Sequence, residues 1–426
     1  MDRSTIWLWL SLHFGAGAEI YSKLITYFED EQNIYDCDDA DVARINWLHD
    51  SHKSKLLDKN LDHAHEIIEW CEENEVQIIA YSDDNYPESL RELEDFPPIL
   101  YCKGDFPDFD NRLSISLVGT RAMTTYGQKI AFELGYTLSR GGAITVSGMA
   151  RGIDSSVAVG TINALGTTVA VLGCGIDVVY PRENASLMNK IIENGAIITE
   201  YPPHTPPNSW NFPVRNRIIS GISNGTVVVE APEHSGAMIT ARRAIKQRKP
   251  LFAVPGPART HSSAGTNILI REDGAKLTND AIDIFEEFLE EFSHKIDLTK
   301  AKQRPKFSIS AMKLASPGPN KSRFYSEYRK NKKSLKEFSK KFDEQFEDSN
   351  SDVANDSNEQ EIAIDKSEFS EEELKVFDAM KRGREYSVDE LVDLTNLSAG
   401  DVMSAASTLQ INGHILELPG GNLLKD

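Results

Sequence analysis

From residue 111 to residue 280 the chain alternates short, nearly continuous apolar runs with stretches of helical length. This alternation limits the fold more than any other feature. The runs are Ser114–Val118, Ala143–Ser147, Thr168–Leu172, Ala196–Thr199, Thr226–Glu230 and Leu251–Val254. Strands that are apolar on both sides must be covered on both faces, and strands separated by helices form a parallel sheet between two helical layers. The expected class is α/β, an extended Rossmann-like parallel sheet core. Such sheets take ligands beyond the carboxyl ends of their strands, where the strand order reverses.

The turns at those carboxyl ends carry glycine. They read Gly119-Thr120-Arg121, Gly148-Met149-Ala150-Arg151-Gly152-Ile153-Asp154, Gly173-Cys174-Gly175, Ala231 to Gly236, and Pro255-Gly256. Glycine lets backbone N–H groups approach a phosphate, and a following helix N-terminus adds its dipole. One such turn is equally a tight strand-to-helix connection. Several along one sheet edge, beside Arg121, Arg151 and Arg182, describe a surface for phosphate, because guanidinium binds phosphate oxygens bidentately. Arg215 and Arg217 stand in the segment Asn211–Gly221. For these two, direct ligand contact and a structural pairing with Asp154 or Glu230 are both open, since an arginine at a buried strand end needs a partner.

Catalytic patterns are absent from the sequence. It contains no HExxH, GxSxG or GxxxxGK[ST], and Gly173-Cys174-Gly175 lacks the third glycine of a dinucleotide fingerprint. Glu200 and Glu230, at strand ends, are the acid/base candidates, with capping or arginine pairing as the alternative. Cys37, Cys71, Cys102 and Cys174 form no CxxC pair, so neither a disulfide scaffold nor a cysteine zinc site is expected. A reducing cytoplasm fits this usage. No apolar run reaches the ~20 residues of a membrane span. The segment Ile6–Ala18 has the length of a signal-peptide core. However, only Arg3 precedes it, Asp2 cancels that charge and His13 interrupts it.

The net charge of −20 is segregated. Residues 1–110 carry 8 basic and 26 acidic side chains, whereas residues 111–259 carry 15 and 8. The local field decides which partner is attracted, so an acidic protein with one basic segment can still bind a polyanion. Four regions follow. Residues 1–79 read as a helical domain of SAM or helix-hairpin-helix type, with Ile6, Trp7, Leu10 and Phe14 at helical spacing. Its Gly15-Ala16-Gly17 turn is either a phosphate-presenting hairpin or a simple helix–helix turn, with Lys23 as the nearby positive charge. Residues 80–294 hold the Rossmann-like domain. Residues 295–370 read as a disordered charged linker, with 14 basic and 2 acidic residues from Thr299 to Lys341. Residues 371–426 read as a winged-helix-like unit of three helices and a hairpin. Its second helix opens at Ser387-Val388-Asp389-Glu390 with a capping-box pattern. Its third helix carries Asp401 and no Lys or Arg.

Taken in order, Val118-Gly119-Thr120-Arg121, Tyr126-Gly127, Ser147–Asp154, Ala170–Asp177, Tyr180-Pro181-Arg182-Glu183-Asn184, Phe212–Gly221, Val229-Glu230-Ala231, Ser235–Arg242 and Phe252–Gly256 closely resemble the DNA-processing protein A (DprA, or Smf) family. The resemblance spans about residues 80–292. It implies a Rossmann-like domain that binds single-stranded DNA, helps load the RecA recombinase onto it in natural transformation, and dimerises through this domain. Helix Asp280–Phe292 is the candidate dimer contact. It implies no cofactor, no membrane partner and no enzymatic activity. The family's strand-binding pocket uses the arginine of VGSR and the basic residue of YPK/R, which fall on Arg121 and Arg182. Arg151, Arg215, Arg217 and Arg242 fall on shared motif positions. With Gly119, Gly148, Gly173, Gly175, Ser235 and Gly236 from the turns, they complete the candidate set for single-strand binding. VGTR replaces VGSR here, SGAMIT replaces SGSLIT, and the 295–370 insert is not typical of the family.

Tyr126, Tyr180, Phe212 and Trp210 lie near the basic loops, and single-strand binders combine a positive groove with stacking faces. Two rival readings remain. One is an enzyme resembling the nucleotide-phosphate glycosidases, which carry a PGGxGT loop followed by a catalytic glutamate. Ser235–Thr240 lacks that carboxylate. The other is a protein-interaction adaptor, which would show no salt-dependent DNA affinity.

Overall fold

Six of the strands in the middle of the chain are buried along their whole length on both faces, and this fixes the layer order. They are β3 (Ser114–Val118), β4 (Ile144–Ser147), β5 (Thr168–Val171), β6 (Gly195–Thr199), β7 (Gly225–Val228) and β8 (Leu251–Ala253). The computed structural model describes residues 2–305. Towards the C-terminus it describes 370–380, 385–395, 397, 401–402, 405–406, 409, 415–417 and 423–425. The chain divides into two units, Met1–Ser339 and Lys340–Asp426.

In the first unit β1 (Gln77–Ala80), β2 (Ile99–Gly104) and β9 (Lys276–Leu277) extend the sheet to nine strands, in the order β1-β2-β6-β5-β4-β3-β7-β8-β9. From β6 to β9 every pair is parallel, whereas β2 runs antiparallel to both β1 and β6. The six expected core strands, β3 to β8, are therefore parallel to one another as expected, and the antiparallel β2 outside that core makes the whole sheet mixed. Strand direction leaves no trace in hydropathy, so β2 was not legible as antiparallel. The chain winds from β3 out to β6 and returns to the other side of β3 as β7. The order therefore reverses between β3 and β7, where ligands of such sheets gather. No helix among the described residues is long and apolar enough to cross a membrane.

The helix Arg3–Phe14 departs from its expected single apolar face. It is buried all round from Thr5 to Ser11, because it lies at the centre of the N-terminal helices and against the β1–β2 edge. The expected dimer helix Asp280–Phe292 is instead three short pieces, Ala281–Phe285, Glu286–Phe288 and Leu289–Phe292. Its Ile284, Phe285, Phe288 and Phe292 are buried in this chain's own core, with Leu138, Val227 and Phe252. Its apolar side is thus occupied within the unit.

In the second unit, helices Glu371–Ala379 and Val388–Thr395 accompany a three-stranded sheet. Its strands are β10 (Glu385–Tyr386), β11 (Ile415–Glu417) and β12 (Leu423–Lys425), in the order β10-β12-β11. The Glu390 N–H donates to Ser387 Oγ at 3.1 Å, as the sequence pattern there predicts. A complete capping box at Ser370 and Glu373 was not foreseen. Positions 306–369 of the expected linker, the start of the third helix at 398–400 and the turn at 418–422 lie outside the described residues.

Candidate functional site

At the carboxyl edge, the loops after β3, β4 and β5 meet the first turn of the helix Asn211–Gly221. They border a shallow, open concavity. Arg121, Arg151, Arg215, Tyr180 and Phe212 line it, with the backbone of Gly148 and Gly173. Residues three apart share a helix face, so Phe212 and Arg215 enter together. The Phe212 ring packs against Tyr180, with centroids 5.2 Å apart and planes at 36°. The Arg121 guanidinium lies 5.5 Å from the Phe212 centroid and that of Arg215 lies 5.8 Å away. One aromatic ring therefore lies within the range of cation–π attraction of two cations.

The arginines differ in exposure. Arg121 and Arg182 are exposed and make no ion pair among the described residues. Arg182 does not itself line the concavity; it directly follows Pro181, which does, after the cis Tyr180–Pro181 bond. Arg151 is also exposed and is paired through Nε with Glu183. Its hydrogen bond to Arg151 holds the Glu183 carboxyl below the usual range. Arg215 is buried and forms the floor. Its Nη1 donates to the carbonyls of Gly148 (3.0 Å) and Val171, while its Nε has no partner among the described residues. Buried Asp154 supplies countercharge to Arg215, and burial pushes the Asp154 carboxyl above its ordinary range. Asp154 also accepts from the N–H groups of Gly148 (3.1 Å) and Ala150 (3.3 Å), which shapes the loop.

Two further predicted arginines are not part of the concavity. Arg217 is fully buried on the opposite side of its helix from Arg215. There Nη2 donates to Glu200 Oε1 (2.7 Å) and Nε to the Asp95 carbonyl (2.6 Å). Its partner is Glu200, not Asp154 or Glu230. Arg242 is exposed on the helix Gly236–Lys246, two turns beyond Ser235 and Gly236, and it does not line the concavity. Ser235 Oγ is buried without a partner among the described residues, and Gly236 is open to solvent.

Most of the candidate glycines are filled by protein atoms. A Cβ on Gly148 would meet the Arg215 guanidinium at 2.7 Å, and one on Gly173 would meet the Phe212 ring at 2.8 Å. Gly119 and Gly175 are occupied in the same way by Ile153 and His204. Since Asp154 also takes the Gly148 N–H, these glycines let loop, ring and arginine close together. The turn Gly15–Gly17 is likewise used internally. Gly15 N–H donates to Ser11 O (2.9 Å) and Gly17 N–H to Glu200 Oε1 (3.2 Å). Glu230 accepts from Thr124 N (2.8 Å) and Oγ1 (2.7 Å), capping the helix Thr125–Arg140. Both acid/base candidates are therefore structural groups. Sequence reasoning missed the cover that Glu183 gives Arg151, because nothing local distinguishes a paired surface carboxylate from a solvated one.

Residues 77–289 match the DNA recombination-mediator protein A family. The chain belongs to that family. It is 40% identical over 218 residues to the DNA processing protein DprA of Bacillus subtilis, covering 51% of this chain and 73% of that protein. It is 37% identical over 218 residues to the protein Smf of Escherichia coli, covering 51% of this chain and 58% of that protein. The solved structure of DNA processing protein A from Streptococcus pneumoniae is 28% identical. It superposes with a TM-score of 0.58 over 67% of this chain and 98% of that one.

Proposed function

We propose that the protein binds single-stranded DNA in the groove at the carboxyl edge and acts, without catalysis, as a recombination mediator. In this reading it protects incoming strands in the cytoplasm and helps load the RecA recombinase onto them during natural transformation. It works as a homodimer, whose two grooves raise avidity on one strand. The observation that carries the reading is that the guanidinium groups of Arg121 and Arg215 both lie within cation–π range of the Phe212 ring, beside Tyr180. Stacking faces with phosphate-binding cations hold a single strand without reading its sequence. The buried Arg215 Nε has no partner among the described residues. An enzymatic reading has less support, since Glu200 and Glu230 are both engaged in structural contacts.

The test is fluorescence anisotropy of labelled oligo-dT across a salt series, with the wild type and the double variant Arg121→Glu/Arg182→Glu. The wild type is expected to prefer single strands over duplex and to weaken as salt rises. Each phosphate contact contributes about 0.7 to the log–log slope, so the double variant should lose about 1.4 of it and most of its affinity. A wild type that binds no oligo-dT at low salt would overturn the proposal.

A further inference from the structure

Beyond the groove, two large aromatic side chains stay in water. Trp210 is 67% exposed and Tyr126 is 46% exposed. Neither ring pairs with another aromatic ring among the described residues. Single exposed apolar side chains are ordinary on a protein surface, so exposure alone argues nothing. Their position along the sheet edge carries the argument.

Trp210 is tied to the β5–β6 side. The next residue, Asn211, donates through Nδ2 to the Gly173 carbonyl after β5 (3.1 Å). Its own carbonyl accepts from Tyr201 Oη, just after β6 (3.2 Å). Tyr126 is tied to the β7–β8 side. Its Oη donates to the Pro255 carbonyl after β8 (3.1 Å), and its helix begins on Glu230 after β7. In sheet order the ends of β5, β4, β3, β7 and β8 follow one another. Four strand spacings of ~4.8 Å give about 19 Å, the length of about six stacked nucleotides at ~3.4 Å each. Between the two rings lie Arg182, Arg151 and Arg121, on the loops after β5, β4 and β3, and the Tyr180–Phe212 pair.

We propose that the single strand runs along the carboxyl edge of the sheet, across the strand ends, with Trp210 stacking a base at one end of the track and Tyr126 at the other. The proposal rests on the single-strand reading above and adds its direction, its length and its two terminal contacts. Aromatic rings at the ends and cations between them match the alternation of bases and phosphates, and stacking tolerates any base. Because both rings are exposed, removing them leaves the fold intact.

The experiment uses the full chain and anisotropy with labelled dT12 and dT4. The variants are Trp210→Ala, Tyr126→Ala, Trp210→Phe and Tyr126→Phe, with Arg121→Glu/Arg182→Glu alongside. Each alanine variant should weaken dT12 binding by about fivefold or more. The salt slope should stay as in the wild type, because no phosphate contact is lost. The phenylalanine variants should remain within about twofold of the wild type. On dT4, too short to reach both rings when stacked at that rise, the alanine variants should lose less than on dT12. If the wild type binds, the arginine variant does not, and both alanine variants bind dT12 as the wild type does, the track is wrong and the groove stands. Equal losses on dT4 and dT12 would also overturn the track. If the wild type binds neither oligonucleotide, the single-strand reading fails and the track fails with it.

Discussion

Arg215 and Arg217 stand two residues apart on one helix, yet they belong to different regions with opposite electrostatics. At the carboxyl edge, buried Arg215 shares the concavity with exposed Arg121 and Arg151, exposed Arg182 follows directly on the lining residue Pro181, and the cations outnumber the carboxylates that answer them. At the junction with the N-terminal helices, Arg217 is enclosed by Glu200 and Asp95. Asp95 in turn reaches Arg243 at 3.2 Å, and Glu200 takes the Gly17 N–H. The first region is short of negative charge and open to water. The second has its charges matched and excludes water. Arginine content alone does not make a binding surface; an arginine is available to a polyanion only where the fold leaves it unmatched.

The largest expected effect breaks the matched region. Arg217→Met removes the cation and leaves Glu200 buried without one, while Asp95 keeps Arg243. Losing one partner of a buried pair costs about 3–5 kcal/mol. Arg121→Ala, at an exposed site, should stay within about 0.5 kcal/mol. Urea unfolding of the two variants checks the contrast. Equal stabilities would mean that the junction tolerates a bare carboxylate and that the two regions do not differ as argued. Burial already pushes the Glu200 carboxyl above its ordinary range. The deficit of Arg217→Met should therefore shrink as the pH is lowered and Glu200 takes a proton.

The same helix shows how far the sequence could be read. The apolar runs predicted β3 residue for residue and the other five parallel strands to within one or two residues, because burial on both faces writes itself into composition. The two residues of β9 were too few to show a period. The groove was legible because its loops are local: an arginine and a glycine after a strand are neighbours in sequence and in space. The split between Arg215 and Arg217 was not legible. Two helical residues point about 200° apart, so one faces the sheet-edge loops and the other faces Asp95 and Gly17, which come from more than a hundred residues earlier. Which arginine is the buried partner depends on packing that no local pattern encodes.

The junction also carries a titrating group. Lys249 Nζ donates to the carbonyls of Gly221 and Ser223 (2.7 Å to the latter), closing the end of the helix Asn211–Gly221. Burial pushes this ammonium down to about 8 from 10.5. Between those two values the unfolded chain holds a proton that the folded chain has released. Folding stability contributed by this lysine therefore rises with pH across that window and is lowest below it. The gain is about 3 kcal/mol at most. Comparing urea unfolding of the wild type and Lys249→Gln at pH 7.5 and pH 10 isolates it, since the other ionisations cancel in the difference. A difference that does not change with pH would show that Lys249 keeps its ordinary affinity for protons and that the junction is wetter than described.

The smallest effect sharpens the open region. Glu183 is the carboxylate that answers Arg151 beside the groove, and both side chains are about half exposed. An exposed pair of this kind is weak, so a phosphate can displace it, but displacement subtracts from affinity. Glu183→Gln frees Arg151 in advance. Oligo-dT should then bind about two- to fivefold more tightly, with a salt slope steeper by up to about 0.7, as one more phosphate contact releases a counterion. Unchanged or weaker binding would assign Glu183 the opposite role, that of holding Arg151 in position. The carboxyl edge would then resemble the junction in using a carboxylate to place its arginine.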